Sequence, residues 1–313
     1  MKLDPQLVDL VSKLAIGQAV SIEAERATEL ARHRALVGKW ITPRPSTLHV
    51  RDQRIGGPDV QHPVIVRTYT PSNVEKVRPA LVFAHGGGWA TGSIDTADEV
   101  CANLAADADI VVASVEYRLA PEHPYPAGID DFYHAVLWVS GNASQLGIDP
   151  ARIAVGGESA GGNLAAIACL KSRDLNGPSI AMQILWAPAL DLTFSGPSRH
   201  EFQKLFPEIA KFGSRLTSRY LGNGADLKDP YVSPLFCPDL SGLPPAILFA
   251  CEVDSFRDDC ERYGERLIAA GGEARWKTFP GLLHGTQSLT GLLSSAREWH
   301  KQSVEALSTL SSA

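Results

Sequence analysis

The chain has 313 residues, 44% of them hydrophobic and 20% charged, the proportions of an ordinary folded globular protein. Its 29 basic and 35 acidic side chains leave a formal charge of −6, which argues against nucleic acid or an anionic membrane as the main partner. Five cysteines, odd in number and without a C-x-x-C pair, argue against a disulfide scaffold or a metal site and fit reduced thiols in a cytoplasm.

Residues Met1 to Trp40 are expected to be helical and amphipathic. Leu7, Leu10, Val11 and Leu14 recur at helical spacing, and Ile22, Ala24, Ala27, Leu30 and Ala31 do so after a break near Gly17. Asp4 and Asp9 interrupt any signal-peptide core, and no apolar run approaches the roughly 18 residues of a membrane helix, so no membrane insertion is expected. Leu48 to Ile55 and Val64 to Tyr69 alternate as strands, with Gly56-Gly57-Pro58 as the hairpin turn between them. Pro79 to Ala84 reads as a buried strand running into His85-Gly86-Gly87-Gly88-Trp89.

A helix near Ala97 to Ala106, a strand Ile110 to Val115, a helix near Ala127 to Val139 and a strand Ile153 to Val155 follow. Further strands are expected at Ile180 to Trp186, Pro245 to Cys251 and Ala274 to Phe279, with a helix reaching Ala270 and a last one near Ser288 to Leu310. Strands alternating with helices imply a mostly parallel sheet covered on both faces, with ligands at the carboxyl ends of its strands. Two stretches fall outside the alternation: the first helices, and the broken pattern from Thr193 to about Pro234. Both are candidates for a lid.

Gly157-Glu158-Ser159-Ala160-Gly161 sits between an apolar strand and the alanine-rich helix former Asn163 to Leu170, which fits a Gly-x-Ser-x-Gly nucleophile elbow. A strand that turns at once into a helix strains its central residue, and side chains two positions either side would collide, so glycine is needed there. Phosphate-loop spacings are absent. A serine hydroxyl needs a base held by a third group. His284, in Gly281-Leu282-Leu283-His284-Gly285 after the last strand, and Asp254, just past the preceding strand, supply them in the order serine, acid, histidine. Glu252, Asp258 and Asp259 compete with Asp254 but read as a solvated helix start.

Gly86-Gly87-Gly88 can turn amides inward, so Gly87, Gly88 and Ala160 make a three-donor oxyanion hole. His85 is read as fixing this loop through ring hydrogen bonds. Trp89, Trp186, Phe194 and Phe202 are open to two readings, as lining of an acyl or alcohol pocket or as core and lid packing. Trp89, Trp186 and Phe202 are carried as substrate-binding candidates. Cys251 and Cys260 read as buried small residues. No metal or cofactor is expected.

With these residues assembled, the chain resembles the hormone-sensitive-lipase-like esterases of the α/β-hydrolase superfamily. The matching segments run from Ala80 to Gly285. They include His85 to Gly88, Tyr117-Arg118-Leu119-Ala120-Pro121-Glu122, Gly147-Ile148-Asp149-Pro150, Gly157 to Ala166, Asp229-Pro230 with Ser233-Pro234-Leu235, Leu243-Pro244-Pro245, and Asp254 with Arg257-Asp258. The resemblance implies an α/β-hydrolase fold with a mostly parallel eight-stranded sheet, helices on both faces and a helical cap. The expected divisions are 1–45 (N-terminal cap helices), 46–191 (core), 192–234 (cap insert) and 235–313 (core).

The resemblance also implies Ser159 as nucleophile, Asp254 as acid, His284 as base and a small-molecule ester substrate with a short to medium acyl chain; a homodimer is a further expectation. A lactonase or formamidase-like amide hydrolase would use the same groups. A non-catalytic small-ligand receptor, as in the gibberellin receptors that resemble this family, would lack the histidine. Glu158 and Glu116 stand where the family usually has aspartate, and Asp254-Ser255 where it has Asp-Pro. The two glutamates lengthen carboxylates beside the site without removing a catalytic group.

Overall fold

The computed structural model describes residues 1–8, 21–57, 61–73, 76–222 and 224–311. Its frame is an eight-stranded sheet: β1 (Leu48–Ile55), β2 (Val64–Pro71), β3 (Arg78–Ala84), β4 (Val111–Glu116), β5 (Ile148–Glu158), β6 (Met182–Trp186), β7 (Ala246–Val253) and β8 (Ala274–Leu283). The spatial order is β1-β2-β4-β3-β5-β6-β7-β8. The pairs β1·β2 and β2·β4 are antiparallel and the other five parallel, so the sheet is mostly parallel as expected.

The central strands β3 and β6 are buried at every position, which is why they read as apolar runs without alternation. Successive side chains still point to opposite faces: Ala80, Val82 and Ala84 join one core cluster, Leu81 and Phe83 the other. Three helices cover the first face: α3 (Ala127–Gly141), α4 (Ala160–Asp174) and α7 (Arg257–Ala269). Two cover the second: α2 (Asp98–Ala108) and α8 (Ser294–Ser308), the latter setting Trp299 edge-on to Trp186 and Phe249. All five cysteines are free and buried. Among the described residues no helix is long and apolar enough to cross a membrane.

Three sequence expectations need correction. The β1–β2 register pairs Ile55 with Val64, so the connection spans 56–63 and is longer than the three-residue turn Gly56-Gly57-Pro58; Pro58 lies outside the described residues. The first helix described along its whole length, α1 (Ile22–Leu36), does not bury an alanine stripe. Ser21 caps it by accepting from the Ala24 N–H at 3.3 Å; Ile22 and Glu25 are buried, while Ala24, Ala27 and Ala31 are exposed. The inward face of α1 is polar because it meets backbone groups and arginines rather than a hydrophobic surface. Leu10, Val11 and Leu14 lie outside the described residues.

Third, Asp259 is no solvated helix start. It is 3% exposed and accepts from the Leu190 and Asp191 N–H groups at 2.9 and 3.0 Å, which ties α7 to the loop leaving β6. The region after that loop holds α5 (Pro197–Leu205) and α6 (Pro207–Leu221), each begun by a proline whose missing N–H costs nothing at that position. α6 meets α1 through Glu25, which takes Arg215 at 3.0 Å and Arg219 at 2.5 Å.

Candidate active site

The sharpest backbone feature lies where β5 becomes α4. Ser159 has φ 55° and ψ −114°, a strained conformation for a residue with a side chain. It is held there by its own backbone, since its N–H donates to Trp186 O at 2.8 Å and its carbonyl accepts from Asn163 N–H at 3.0 Å. The flanking glycines leave no alternative. A β-carbon at Gly157 would lie 2.4 Å from the Gly161 carbonyl carbon, and one at Gly161 would lie 2.0 Å from Ala84 O. The turn therefore lifts the Ser159 hydroxyl off the sheet, as the five-residue pattern led one to expect.

His284 follows β8 and Asp254 follows β7, neighbouring parallel strands whose carboxyl ends are therefore adjacent. The imidazole spans the gap, with Nε2 at 2.8 Å from Ser159 Oγ and Nδ1 at 2.7 Å from Asp254 Oδ2. The other Asp254 oxygen accepts from Phe256 N–H at 2.8 Å, so the fully buried carboxylate is fixed in orientation. Burial alone would push the imidazole pKa down. The Asp254 and Glu158 carboxylates outweigh it and hold His284 above the ordinary histidine value.

The glycine run after β3 is locked by its own carbonyls. A trans peptide points its N–H opposite to the preceding C=O, so whatever holds that carbonyl aims the amide. Gly86 O is held by His85 Nδ1 at 2.7 Å, which aims the Gly87 N–H. Gly87 O accepts from Ala90 N–H, Thr91 N–H and Thr91 Oγ1 at 3.2, 2.9 and 3.0 Å, which aims the Gly88 N–H. Gly87 and Gly88 have φ of 118° and 58°. A β-carbon on Gly87 would lie 2.2 Å from Thr91 O. Ala160 opens α4, so its N–H has no acceptor within the helix.

His85 takes the loop-fixing part read for it. It stacks on Tyr117 at 4.2 Å, and Tyr117 Oη donates to His85 O at 2.9 Å. Burial pushes its imidazole down to about 4, so it is neutral and its Nδ1–H is free to donate. Arg118 forks onto Asp131 at 2.8 Å through both Nε and Nη2.

The aromatic candidates scatter. Trp89, next to Gly88, stacks on Tyr220 of α6 at 4.3 Å. Trp186 is 3% exposed and packs its ring against Phe83 and Trp299, the placement of a core residue. Phe202 is buried beside Phe206 on the outer helices. Phe194, at φ 55°, lies under Arg199 and 6.0 Å from Phe256.

Two neighbours of the site were missed. Phe256 sets its ring 5.6 Å from the His284 ring, and Leu216 of α6 overlies Gly88, where a β-carbon would meet Leu216 Cδ1 at 2.6 Å. Neither carries a polar signal, so nothing in the one-dimensional pattern marks them. Glu158 lies beneath the loop, its Cδ 3.3 Å from where a Gly86 β-carbon would be. Burial pushes its carboxyl up, against the opposing pull of His284 and Gln287. Glu116 accepts from Ile94 N–H at 2.7 Å, and burial raises it too. Both glutamates thus abut the glycine loop or its continuation.

A sheet of this order, a serine at a strained strand–helix turn and a histidine and aspartate from the last two strand ends define an α/β hydrolase. A family model described as the alpha/beta hydrolase fold matches residues 81–288. The chain belongs to that family, in its hormone-sensitive-lipase-like branch. Carboxylesterase NlhH of Mycobacterium tuberculosis is 38% identical over 306 residues, covering 96% of this chain and 95% of that one. Esterase LipI of the same organism is 35% identical over 313 residues, 97% of this chain and 94% of the relative. Among solved structures, a hyperthermophilic esterase from the archaeon Pyrobaculum calidifontis matches with a TM-score of 0.91 at 35% identity, over 100% of both chains.

Proposed function

We propose that this protein is a serine carboxylesterase that hydrolyses short- to medium-chain carboxylic esters through an acyl-enzyme. The observation that carries the reading is the unbroken chain Ser159 Oγ, His284 Nε2, His284 Nδ1, Asp254 Oδ2, with links of 2.8 and 2.7 Å. His284 takes the Ser159 proton as Oγ bonds to the ester carbonyl carbon. Gly87, Gly88 and Ala160 N–H groups receive the negative oxygen of the tetrahedral intermediate. The imidazolium returns the proton to the departing alkoxide and the acyl group stays on Ser159. Water then repeats the cycle, with His284 again as base, and releases the acid.

In this reading α1 and the α5–α6 pair form a cap over the strand ends. Leu216 and Phe256 border the acyl or alcohol side, with Trp89 bracing the wall from behind. The carboxylesterase and esterase relatives at 35–38% identity support an open ester over a lactone or formanilide. The free, buried cysteines fit a reducing cytoplasm. The homodimer expected from the resemblance is tested by sedimentation velocity. The decisive assay is turnover of a p-nitrophenyl acyl series, from acetate to octanoate, beside lactones and formanilides. Specificity constants peaking on lactones or amides would overturn the substrate class.

A further inference from the structure

Three residues of α1 reach the loop that carries Gly87 and Gly88, across some sixty positions of sequence, or α6 above it. Glu25 pairs with α6. The other two touch loop backbone directly. Arg26 Nε donates to Ala90 O at 2.8 Å, while its Nη2 donates to Ala120 O at 2.9 Å and its fork closes on Glu122. Glu29 Oε2 accepts from Gly92 N–H at 3.0 Å.

These bonds lie one peptide behind the bonds that aim the oxyanion amides. Ala90 C=O and Thr91 N–H share a peptide plane and point opposite ways. With Ala90 O drawn out to Arg26, Thr91 N–H is turned in to Gly87 O, and that bond in turn aims Gly88 N–H. Glu29 acts on the other amide. Gly92, which it holds, packs so closely that a β-carbon there would lie 2.2 Å from Gly86 O and 2.6 Å from His85 Nδ1, the two atoms whose bond aims Gly87 N–H.

We propose that Arg26 and Glu29 are positioning residues for the reaction, each setting the direction of one oxyanion-hole amide through the loop backbone without touching substrate. This rests on the esterase reading. It makes the N-terminal helix part of the catalytic apparatus as well as a cover, so that displacement of α1 slackens the hole.

The test measures turnover per active site, counted by titration with an aryl alkylphosphonate, for full-length Arg26→Gln, Arg26→Lys, Glu29→Ala and Glu29→Gln. Misaiming a donor by a fraction of an ångström to an ångström is expected to lower kcat about tenfold to a hundredfold in Arg26→Gln and Glu29→Ala. KM and the acidic limb of the pH profile stay put, because His284 is untouched. Glu29→Gln, which keeps an acceptor oxygen, restores most of the rate. Arg26→Lys restores less, since one ammonium cannot hold Ala90 O and Ala120 O in a fixed fork.

Arg34→Ala on the same helix, exposed and 3.7 Å from Asp95, is the control expected to match the parent. If Arg26→Gln does not fold, Glu29→Ala decides alone. Per-site kcat within about twofold of the parent in folded Glu29→Ala, with only the melting temperature lowered, would overturn the proposal, because misaiming predicts a far larger loss. Absence of ester turnover in the parent itself would instead overturn the esterase reading.

Discussion

The two sides of the site are built in different ways. The hydroxyl side, Ser159 with His284 and Asp254, hangs from the ends of β5, β7 and β8 and inherits its rigidity from the packed sheet. The amide side hangs from a loop of the chain's most permissive residues, and its geometry comes from polar bonds sent in by β4, by Tyr117 just past it, and by α1. Packing is cooperative and hard to perturb by one polar change, whereas a polar brace is removed by one substitution. The hydroxyl side should therefore fail completely or not at all, and the amide side should fail by degrees.

The largest expected effect is on the hydroxyl side. Ser159→Ala should reduce turnover of p-nitrophenyl butyrate by about 10⁴-fold or more while the melting curve stays near the parent's. Substantial turnover left in purified Ser159→Ala would end the acyl-enzyme account. Next comes Gly161→Ala. Its β-carbon would lie 2.0 Å from backbone Ala84 O and 2.5 Å from His85 O, which no side-chain movement relieves. The expected loss is several kcal/mol, more than about 4, and is read as a collapse in soluble yield or in the chemical-denaturation midpoint.

How far the sequence reached follows the same division. Ser159, Asp254, His284 and the glycine run could be picked out as candidates because chemistry at a strand end demands particular residue types at particular places, and the structure brings the first three within hydrogen-bond reach of one another. Strand ends were legible to within about four residues except at β5, which begins at Ile148 instead of Ile153, for a related reason: β3 and β6 are buried throughout and are apolar apart from Arg78 and Gln183. The reach ended at the outer helices. Ala24, Ala27 and Ala31 looked like a buried stripe, yet the face that turns inward carries Glu25, Arg26 and Glu29. Helical periodicity assumes that the inner surface is oily; here the surface it meets is loop backbone and arginine. Asp259 misled in the opposite way, since a carboxylate in a first turn usually faces water and this one instead caps the amides of Leu190 and Asp191. Phe256 and Leu216 were invisible because contact with the site is set by tertiary packing.

On the amide side, Gly88→Ala would set a β-carbon 2.6 Å from Leu216 Cδ1 at a residue with φ 58°. The left-handed conformation alone costs about 1 kcal/mol. A drop in kcat of about tenfold to a hundredfold is expected, with part of it returned when Leu216→Gly removes the clash, since Leu216 Cβ itself would lie 2.8 Å from the new β-carbon. No recovery in the double variant would mean that backbone strain, rather than pressure from α6, sets the loss.

A smaller effect comes from Glu158, which borders both sides. Its carboxylate helps raise the His284 pKa, and the base must be neutral to act, so kcat/KM falls as pH drops through that raised value. Glu158→Gln removes this contribution and should move the acidic limb to lower pH, leaving the plateau nearly intact. A limb that stays in place would show that the carboxyl is already neutral when His284 titrates, which its own burial-raised pKa allows.

The smallest effect expected is that of Glu25→Gln, and it bears most directly on whether the two sides are independent. Glu25 is buried, but Arg215 and Arg219 are partly exposed, so the pair is screened and its loss should cost about 1 kcal/mol, or about one to two degrees in melting temperature. Arg26 and Glu29 face the loop on the same helix, one and four residues further on. If those bonds alone hold the amides, Glu25→Gln lowers the melting temperature and leaves kcat per active site unchanged. A fall in kcat as deep as that of Arg26→Gln would mean that α6 and the loop grip α1 as one unit, and the site would then have a single scaffold in place of two.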